Sequence, residues 1–267
     1  MMLKDRKKFR VRIAIAAITV SGAVLTARHF DEVIGYAKRM PGLSSLLKES
    51  PEKLVDKYGA LARSRLTPKF AEKNMAYPPD RLELVAIKKS RELLVYAAAK
   101  DAPFDYICRY PILGASGHLG PKLREGDNQV PEGLYRLVLE PNTPYHAALR
   151  LNYPNSEDVA RAKADGRSNP GSDILIHGTE GSVGCIAVGN AASEDLFVLA
   201  YDTRSKNLPL IVAPVDLTRE PAPPAQSTDP AWLPELYVEI KAALAELTDG
   251  QSKSVKKTAP EKSAAQK

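Results

Sequence analysis

The chain has 267 residues, 44% hydrophobic and 26% charged, with a formal net charge of +6 and only two cysteines. That balance excludes a disordered chain and a disulfide-framed mini-protein, and the length allows one sizeable core. The excess charge sits at the ends, +5 in residues 1–12 and +4 in residues 250–267, which leaves −3 on residues 13–249; a nucleic-acid partner needs lysines and arginines clustered on the folded part, so that class is excluded as well.

The basic head runs into an uncharged apolar stretch, residues 13–27, reading IAIAAITVSGAVLTA. A positive flank ahead of a short apolar core, with small residues at Ser21, Ala23 and Ala27, is the pattern of an export signal. The run is shorter than the ~20 residues that span a bilayer, so residues 1–27 are expected to be a signal peptide or an N-terminal membrane anchor. Either way the basic end stays in the cytoplasm and the rest is placed in the periplasm or cell envelope, touching the membrane only through this segment.

Residues 28–76 read as a helical lead-in. A short helix and linker are expected over 31–48. A better-signalled helix opens with Ser50 as N-cap and Pro51 at the first position, carries Leu54, Tyr58, Leu61 and Arg65 on one stripe, and should end before Pro68. From Arg81 the pattern becomes alternating. Residues 82–87 and 93–97, split by the charged turn 88–91, predict a hairpin, and 104–112 a third strand. Residues 114–133 (GASGHLGPKLREGDNQVPEG) are polar, glycine-punctuated and too long for a turn, as functional loops are. Further strands are expected over 134–140, 145–152, 173–177 and 208–217, with a brief apolar segment at 186–188. A helix should begin at Ser193, with Glu194 and Asp195 in the first turn where the helix dipole favours acids. Residues 220–249 read as a proline-rich linker and an amphipathic helix bearing Leu233, Leu236, Ile240, Ala243 and Leu247, with Trp232 packing that helix. Residues 250–267 read as a disordered basic tail. The fold class is mainly β with flanking helices, the catalytic domain spanning 77–219.

Chemistry concentrates in residues 174–187, ILIHGTEGSVGCIA. A cysteine nucleophile needs a base, oxyanion donors and room for substrate. His177 ends a strand, and a return through Gly178, Gly181 and Gly184 can bring Cys185 back beside it. A neighbouring imidazolium would lower the thiol pKa from ~8.5 toward the reactive range. The N–H groups of Gly184 and Cys185 are the expected oxyanion donors, and Ser182 can add a hydroxyl. One Cys and one His with no second pair at ligand spacing give a metal no site, and no cofactor is expected. Cys108 alternates with Tyr106 and Tyr110 as a buried strand residue does, which argues against its pairing with Cys185. The residues alone leave Cys185 open between a catalytic and a structural role. His29 and His146 have no supporting neighbours and are assigned no role; His118 lies in the polar loop, where contact with substrate is one reading and a solvated loop histidine the preferred one.

The same stretch resembles the signature of the L,D-transpeptidase catalytic domain (YkuD-type), in which H-G is followed by a glycine-rich segment ending in S-x-G-C, and the form here is most similar to the YafK-like branch. Loop residues 118–137, HLGPKLREGDNQVPEGLYRL, and LNYPN from Leu151 resemble two further segments of that branch. The resemblance covers residues 77–217. It implies a β-sandwich-like catalytic domain and an exported cysteine acyltransferase acting on murein stem peptides through a Cys185 thioester. His177 is then the base, Ser182 and Gly184 shape the site, and the Gly178 carbonyl fixes the imidazole. Lys122, Arg124, Glu125 and Asp127 fall in the loop motif and are expected to shape the site or bind the charged stem peptide. Peptidoglycan stem peptides are the implied partners, with a wall-linked lipoprotein as a further one. Two departures matter. The gap from His177 to Ser182 is short, and Val183 and Ala187 stand where a second His and an Arg often stand, which removes a cation for a carboxylate. Amide hydrolysis, releasing a protein from peptidoglycan or trimming a stem, therefore stands beside transpeptidation. The alternative from another class is a non-catalytic wall-binding module with a structural Cys185. A papain-like protease would place its nucleophile first and its base far downstream, the reverse of the order here.

Overall fold

The computed structural model describes residues 49–258. The signal or anchor segment 1–27, the short helix expected within 31–48 and the end of the basic tail, 259–267, lie outside the described residues.

Ser50 and Pro51 open α1 (Pro51–Ala71) as the capping pattern predicts, though the Ser50 side chain makes no capping bond. The buried side of α1 is Leu54, Val55, Gly59, Ala62, Leu66 and Phe70. This corrects the predicted stripe: Leu61 is exposed, and Arg65 turns to acids on another helix. The helix also continues through Pro68. A proline inside a helix costs about 3 kcal/mol or more through a lost ladder bond and a ring clash, and burying a phenylalanine offsets about 2–3 kcal/mol of that. Phe70 is fully buried, and the ladder resumes where the Glu72 N–H donates to the Pro68 carbonyl at 2.9 Å.

The strands β1 (Arg81–Ile87), β2 (Glu92–Ala98), β3 (Asp105–Pro111), β4 (Gly133–Glu140), β5 (Ala148–Leu151), β6 (Leu175–His177), β7 (Ile186–Ala187) and β8 (Leu208–Ala213) form one sheet in the order β3-β2-β1-β8-β4-β5-β6-β7. The sheet curls into a half-barrel flanked by helices. The pairings β1–β8 and β6–β7 are parallel and the rest antiparallel. Every expected strand is present, but several are shorter: 145–147 precede β5, and the chain leaves the sheet after Ala213.

Two layers of helix explain why β1 and β8 are apolar on both faces. Besides α1 there are α2 (Ser156–Ala164), α3 (Asn190–Asp202) and α4 (Leu233–Thr258). On one face α1 and α3 cover Leu84, Leu93, Leu137, Leu149, Ile176 and Ile186, with Phe70 and Phe197 filling the layer. On the other, Leu233, Leu236, Ile240, Leu244 and Leu247 of α4 pack on Val85, Ile87, Ile211 and Ala213. Trp232 joins this layer, and its indole N–H donates to Asp165 at 2.9 Å. The short α2, absent from the sequence reading, is held by a reciprocal capping box between Asn155 and Asp158. Helix α3 starts at Asn190, three residues earlier than expected, so Glu194 and Asp195 lie past its first turn. They serve tertiary pairing instead: Arg65 reaches Asp195 at 2.7 Å and Glu194 at 3.0 Å, while Arg63 clasps Asp202 with two bonds of 2.8 and 2.7 Å. Helix α4 runs to Thr258, into the stretch expected to be disordered. No helix among the described residues is long and apolar enough to cross a membrane.

Candidate functional site

The register of β6 and β7 decides what faces what. Ile176 pairs with Ile186, and both lie in the core under α1 and α3. Strand alternation then sends their neighbours Leu175, His177, Cys185 and Ala187 to the opposite face. Cys185 lies alongside Leu175, whose N–H donates to the sulfur at 3.4 Å, and the thiol donates to the Asp173 carbonyl at 3.7 Å. A two-residue diagonal between adjacent strands places the His177 and Cys185 α-carbons about 8 Å apart on one face, within side-chain reach. Parallel neighbours usually need a connection of a dozen or more residues. Here residues 178–185 suffice, because β7 is only two residues long and Thr179 (φ 66°) and Gly184 (φ 81°) turn sharply in left-handed conformations.

His177 is buried, and its Nδ1 meets the Gly178 carbonyl oxygen in a short contact. A carbonyl only accepts, so Nδ1 carries the proton and Nε2 keeps its lone pair. Tyr145 covers the ring, centroid to centroid 5.0 Å. Burial pushes the imidazole pKa below its ordinary value, more than the Gly178 carbonyl raises it. Burial also pushes the Cys185 thiol up, against the pull of the Leu175 N–H and the charges of Arg150 and Lys122. Burial thus works against both the imidazolium and the thiolate. Desolvation penalises both charged forms, which opposes the thiolate beside an imidazolium expected from the spacing.

Of the two amides expected to face an oxyanion, that of Gly184 is already occupied. The Gly184 N–H donates to Ser116 Oγ at 2.7 Å, and Ser116 in turn donates to the Asn128 carbonyl at 2.6 Å. Its amide is thus committed to holding the loop, whereas the Cys185 amide has no partner among the described residues. Ser182 Oγ is the one buried side-chain polar atom without a partner among those residues. Buried hydroxyls are normally satisfied, and an orphan beside a candidate nucleophile is suited to a substrate oxygen.

Loop 114–133 packs over this face. Gly114 bridges Ala187, with N···O distances of 3.2 and 2.8 Å, and Gln129 is buried, its side chain taking the His118 N–H at 2.8 Å. Of the four loop residues expected at the substrate, Lys122 and Asp127 are occupied with each other at 2.6 Å. Burial alone would raise the Asp127 carboxyl, but Lys122 and the amides of Arg124, Leu123 and Gln129 outweigh it and hold the pKa low. Arg124 and Glu125 are exposed. At the loop base, buried Glu132 accepts from the Gly120 amide at 2.7 Å, lies 2.9 Å from Lys88 and accepts from Tyr237 of α4 at 3.0 Å. His146, expected to lack neighbours, sits 2.9 Å from Glu194 and against Tyr58. Both cysteines are free. Three neighbours of the site escaped the sequence reading: Ser116, Tyr145 and Arg150. Only Arg150 left a trace, as the polar residue out of phase with Leu149 and Leu151.

The family model described as YkuD, L,D-transpeptidase catalytic domain, matches residues 83–212, from β1 to β8 and including His177 and Cys185. Among curated proteins, the chain is similar to the Putative L,D-transpeptidase YafK of Escherichia coli K12, and to the protein of the same description in strain O157:H7. Each is 34% identical over 113 residues, 41% of this chain and 43% of the relative, so the match spans less than half of either relative. Among solved structures, the helical cell shape determining protein Pgp2 from Campylobacter jejuni aligns at TM-score 0.38 and 26% identity, over 50% of this chain and 48% of that one. Bd1075 from Bdellovibrio bacteriovorus aligns at TM-score 0.36 and 21% identity, over 63% and 56%.

Proposed function

Residues 83–212 match the model of the L,D-transpeptidase catalytic domain, and on that premise we propose that the chain is an exported, peptidoglycan-modifying cysteine acyltransferase whose nucleophile is Cys185. The observation that carries the proposal is a thiol and an imidazole with its Nε2 open on one face of β6–β7, beside an orphan hydroxyl. In the first step Nε2 of His177 takes the thiol proton as sulfur attacks a stem-peptide carbonyl. The Cys185 amide and Ser182 Oγ donate to the developing oxyanion. Collapse expels the amine, which takes the proton back from His177, and leaves a thioester. An acceptor amine, or water, then attacks that thioester with His177 again as base, and the thiol is restored. Gly178 holds the imidazole tautomer. Among the loop residues, Arg124 and Glu125 meet the stem peptide, and Lys122 and Asp127 shape the loop that presents them. A wall-linked lipoprotein is a candidate carrier of the amide.

One observation supports hydrolysis as a second reading. The return between the two site residues is short and open, with Glu180, Gly181 and Val183 exposed, Val183 at 71%. An acceptor side with so little roof admits water. Mass spectrometry of muropeptides after incubation with the protein tests both: new cross-links mean transfer, shortened or protein-free stems mean hydrolysis. Cys185→Ala should abolish either product and the acyl-enzyme mass. Undiminished product from that variant sinks the proposal and leaves a binding module with a structural cysteine.

A further inference from the structure

The alternation that turns Cys185 to the outer face of the sheet turns Arg150 there as well. Leu149 and Leu151 point into the core under α1 and α3, so Arg150 between them points away. Arg150 pairs with Leu175 on one side and with Val138 on the other, and Leu175 lies against Cys185. Val138, Arg150, Leu175 and Cys185 thus form one row across β4, β5, β6 and the start of β7. With strands about 4.8 Å apart, the backbones of Arg150 and Cys185 are about 10 Å apart, and the side chains close part of that distance. The Arg150 charge is felt at the thiol. The far end of the row is open, with Val138 at 42% and the Arg150 side chain at 35% exposed.

Two carboxylates hold the guanidinium, and they differ. Glu140 takes Nε at 3.0 Å and is largely covered. Asp173 takes Nη1, yet its side chain is 71% exposed and its backbone sits at φ 65°, in the left-handed region that Asp tolerates better than most residues. An exposed ion pair of this kind adds little stability, so its carboxylate exchanges readily. The Asp173 carbonyl is also the acceptor of the Cys185 thiol, which links the counter-ion to the nucleophile through a single residue.

We infer that Arg150 binds a carboxylate of the peptide substrate, with Asp173 as the exchangeable counter-ion that leaves when the substrate arrives. The inference rests on the proposed attack of Cys185 on a peptide carbonyl and adds the residue that selects the substrate's charge. Glu140 fixes the Nε side of the guanidinium, and the Nη edge vacated by Asp173 receives the incoming carboxylate in a charge-assisted pair. At ~3.3–3.6 Å per extended residue, the spacing fits a free carboxylate within roughly one to three residues of the attacked carbonyl.

Binding separates this inference from the chemistry. Calorimetric titration of the Cys185→Ala protein would use a murein tetrapeptide stem whose terminal D-alanine is a free carboxylate, and the same stem as its carboxamide. The carboxylate should bind about 10- to 100-fold more tightly. Adding Arg150→Gln should bring the ratio close to one, and adding Asp173→Asn instead should tighten the carboxylate stem alone. Arg150→Lys, which keeps the charge without the fork, should hold an intermediate ratio and stands in if the glutamine variant does not fold. Equal affinities in the parent, a ratio that survives loss of Arg150, or no binding of either stem overturns the inference. A preserved carboxylate preference with no turnover by the Cys185 protein would instead sink the thioester proposal and leave Arg150's role standing.

Discussion

Gly114→Ala is the most discriminating single substitution outside the reacting groups. A Cβ built at Gly114 would lie 2.2 Å from the Glu180 carbonyl oxygen and 3.1 Å from the Ser182 amide nitrogen, both backbone atoms with no rotamer to escape by. Restoring ordinary contact requires the 114 strand-bridge and the 178–185 return to part by about 1 Å. Overpacking of this kind costs about 1–3 kcal/mol, whereas a displacement of about 1 Å at a reacting centre costs about 100-fold in rate. The variant should therefore remain folded, lose a few degrees of thermal midpoint, and fall about 100-fold in kcat/KM on muropeptides. Gly181→Ala is the matched control: its Cβ would meet nothing within 4 Å, and both midpoint and turnover should stay near the parent's. Thermal unfolding with a muropeptide turnover series reads both quantities. Parental turnover in Gly114→Ala, or equal losses in the two variants, would refute the claim that the bridge to Ala187 sets the geometry of Cys185.

Ser182→Ala removes a buried hydroxyl that has no partner, so chemical denaturation should show a change within about 0.5 kcal/mol, while kcat falls about 100-fold if that hydroxyl meets the oxyanion; a marked loss of stability would mean the hydroxyl is structural. Burial disfavours both the thiolate of Cys185 and the imidazolium of His177, so iodoacetamide should label Cys185 slowly at neutral pH, with a rate still rising above pH 9, and the acidic limb of kcat/KM should lie below pH 6.5. A labelling plateau below pH 8 would instead indicate a thiolate–imidazolium ion pair. Asp127→Ala leaves Lys122 buried without its carboxylate and frees three amides, which should cost about 3 kcal/mol in urea denaturation and expose loop 114–133 to limited proteolysis. An unchanged midpoint would place the Lys122–Asp127 pair outside the loop's support.

Most strands could be read from the sequence because their alternation is regular and bounded by turn residues. Residues 82–87 and 93–97 needed nothing more. Helix ends were harder to read, since tertiary contacts moved them: Phe70 carries α1 past Pro68, and Glu194 and Asp195 answer Arg65 and Tyr110 rather than the dipole of α3. The two residues 177 and 185 stood out by type and spacing. Their protonation states did not, because these depend on how deeply the folded chain buries them. Ser116 is sixty-eight positions from the amide it holds, and no local pattern marks a serine for that task. Arg150 could be placed on the outer face by phase alone, but only the order β4-β5-β6-β7 shows that this face is also the thiol's.

The strand that starts just after Cys185 is the last in the sheet and two residues long, with the bridge from Gly114 on its outer side. A strand at the rim of a sheet offers unpaired amides and carbonyls to any passing chain. Closing that rim with its own loop means that the segment next to Cys185 cannot recruit a stray strand. It also means that the rim's amides should exchange with solvent through a small local opening, while those of β1 and β8 wait for the whole sheet to come apart.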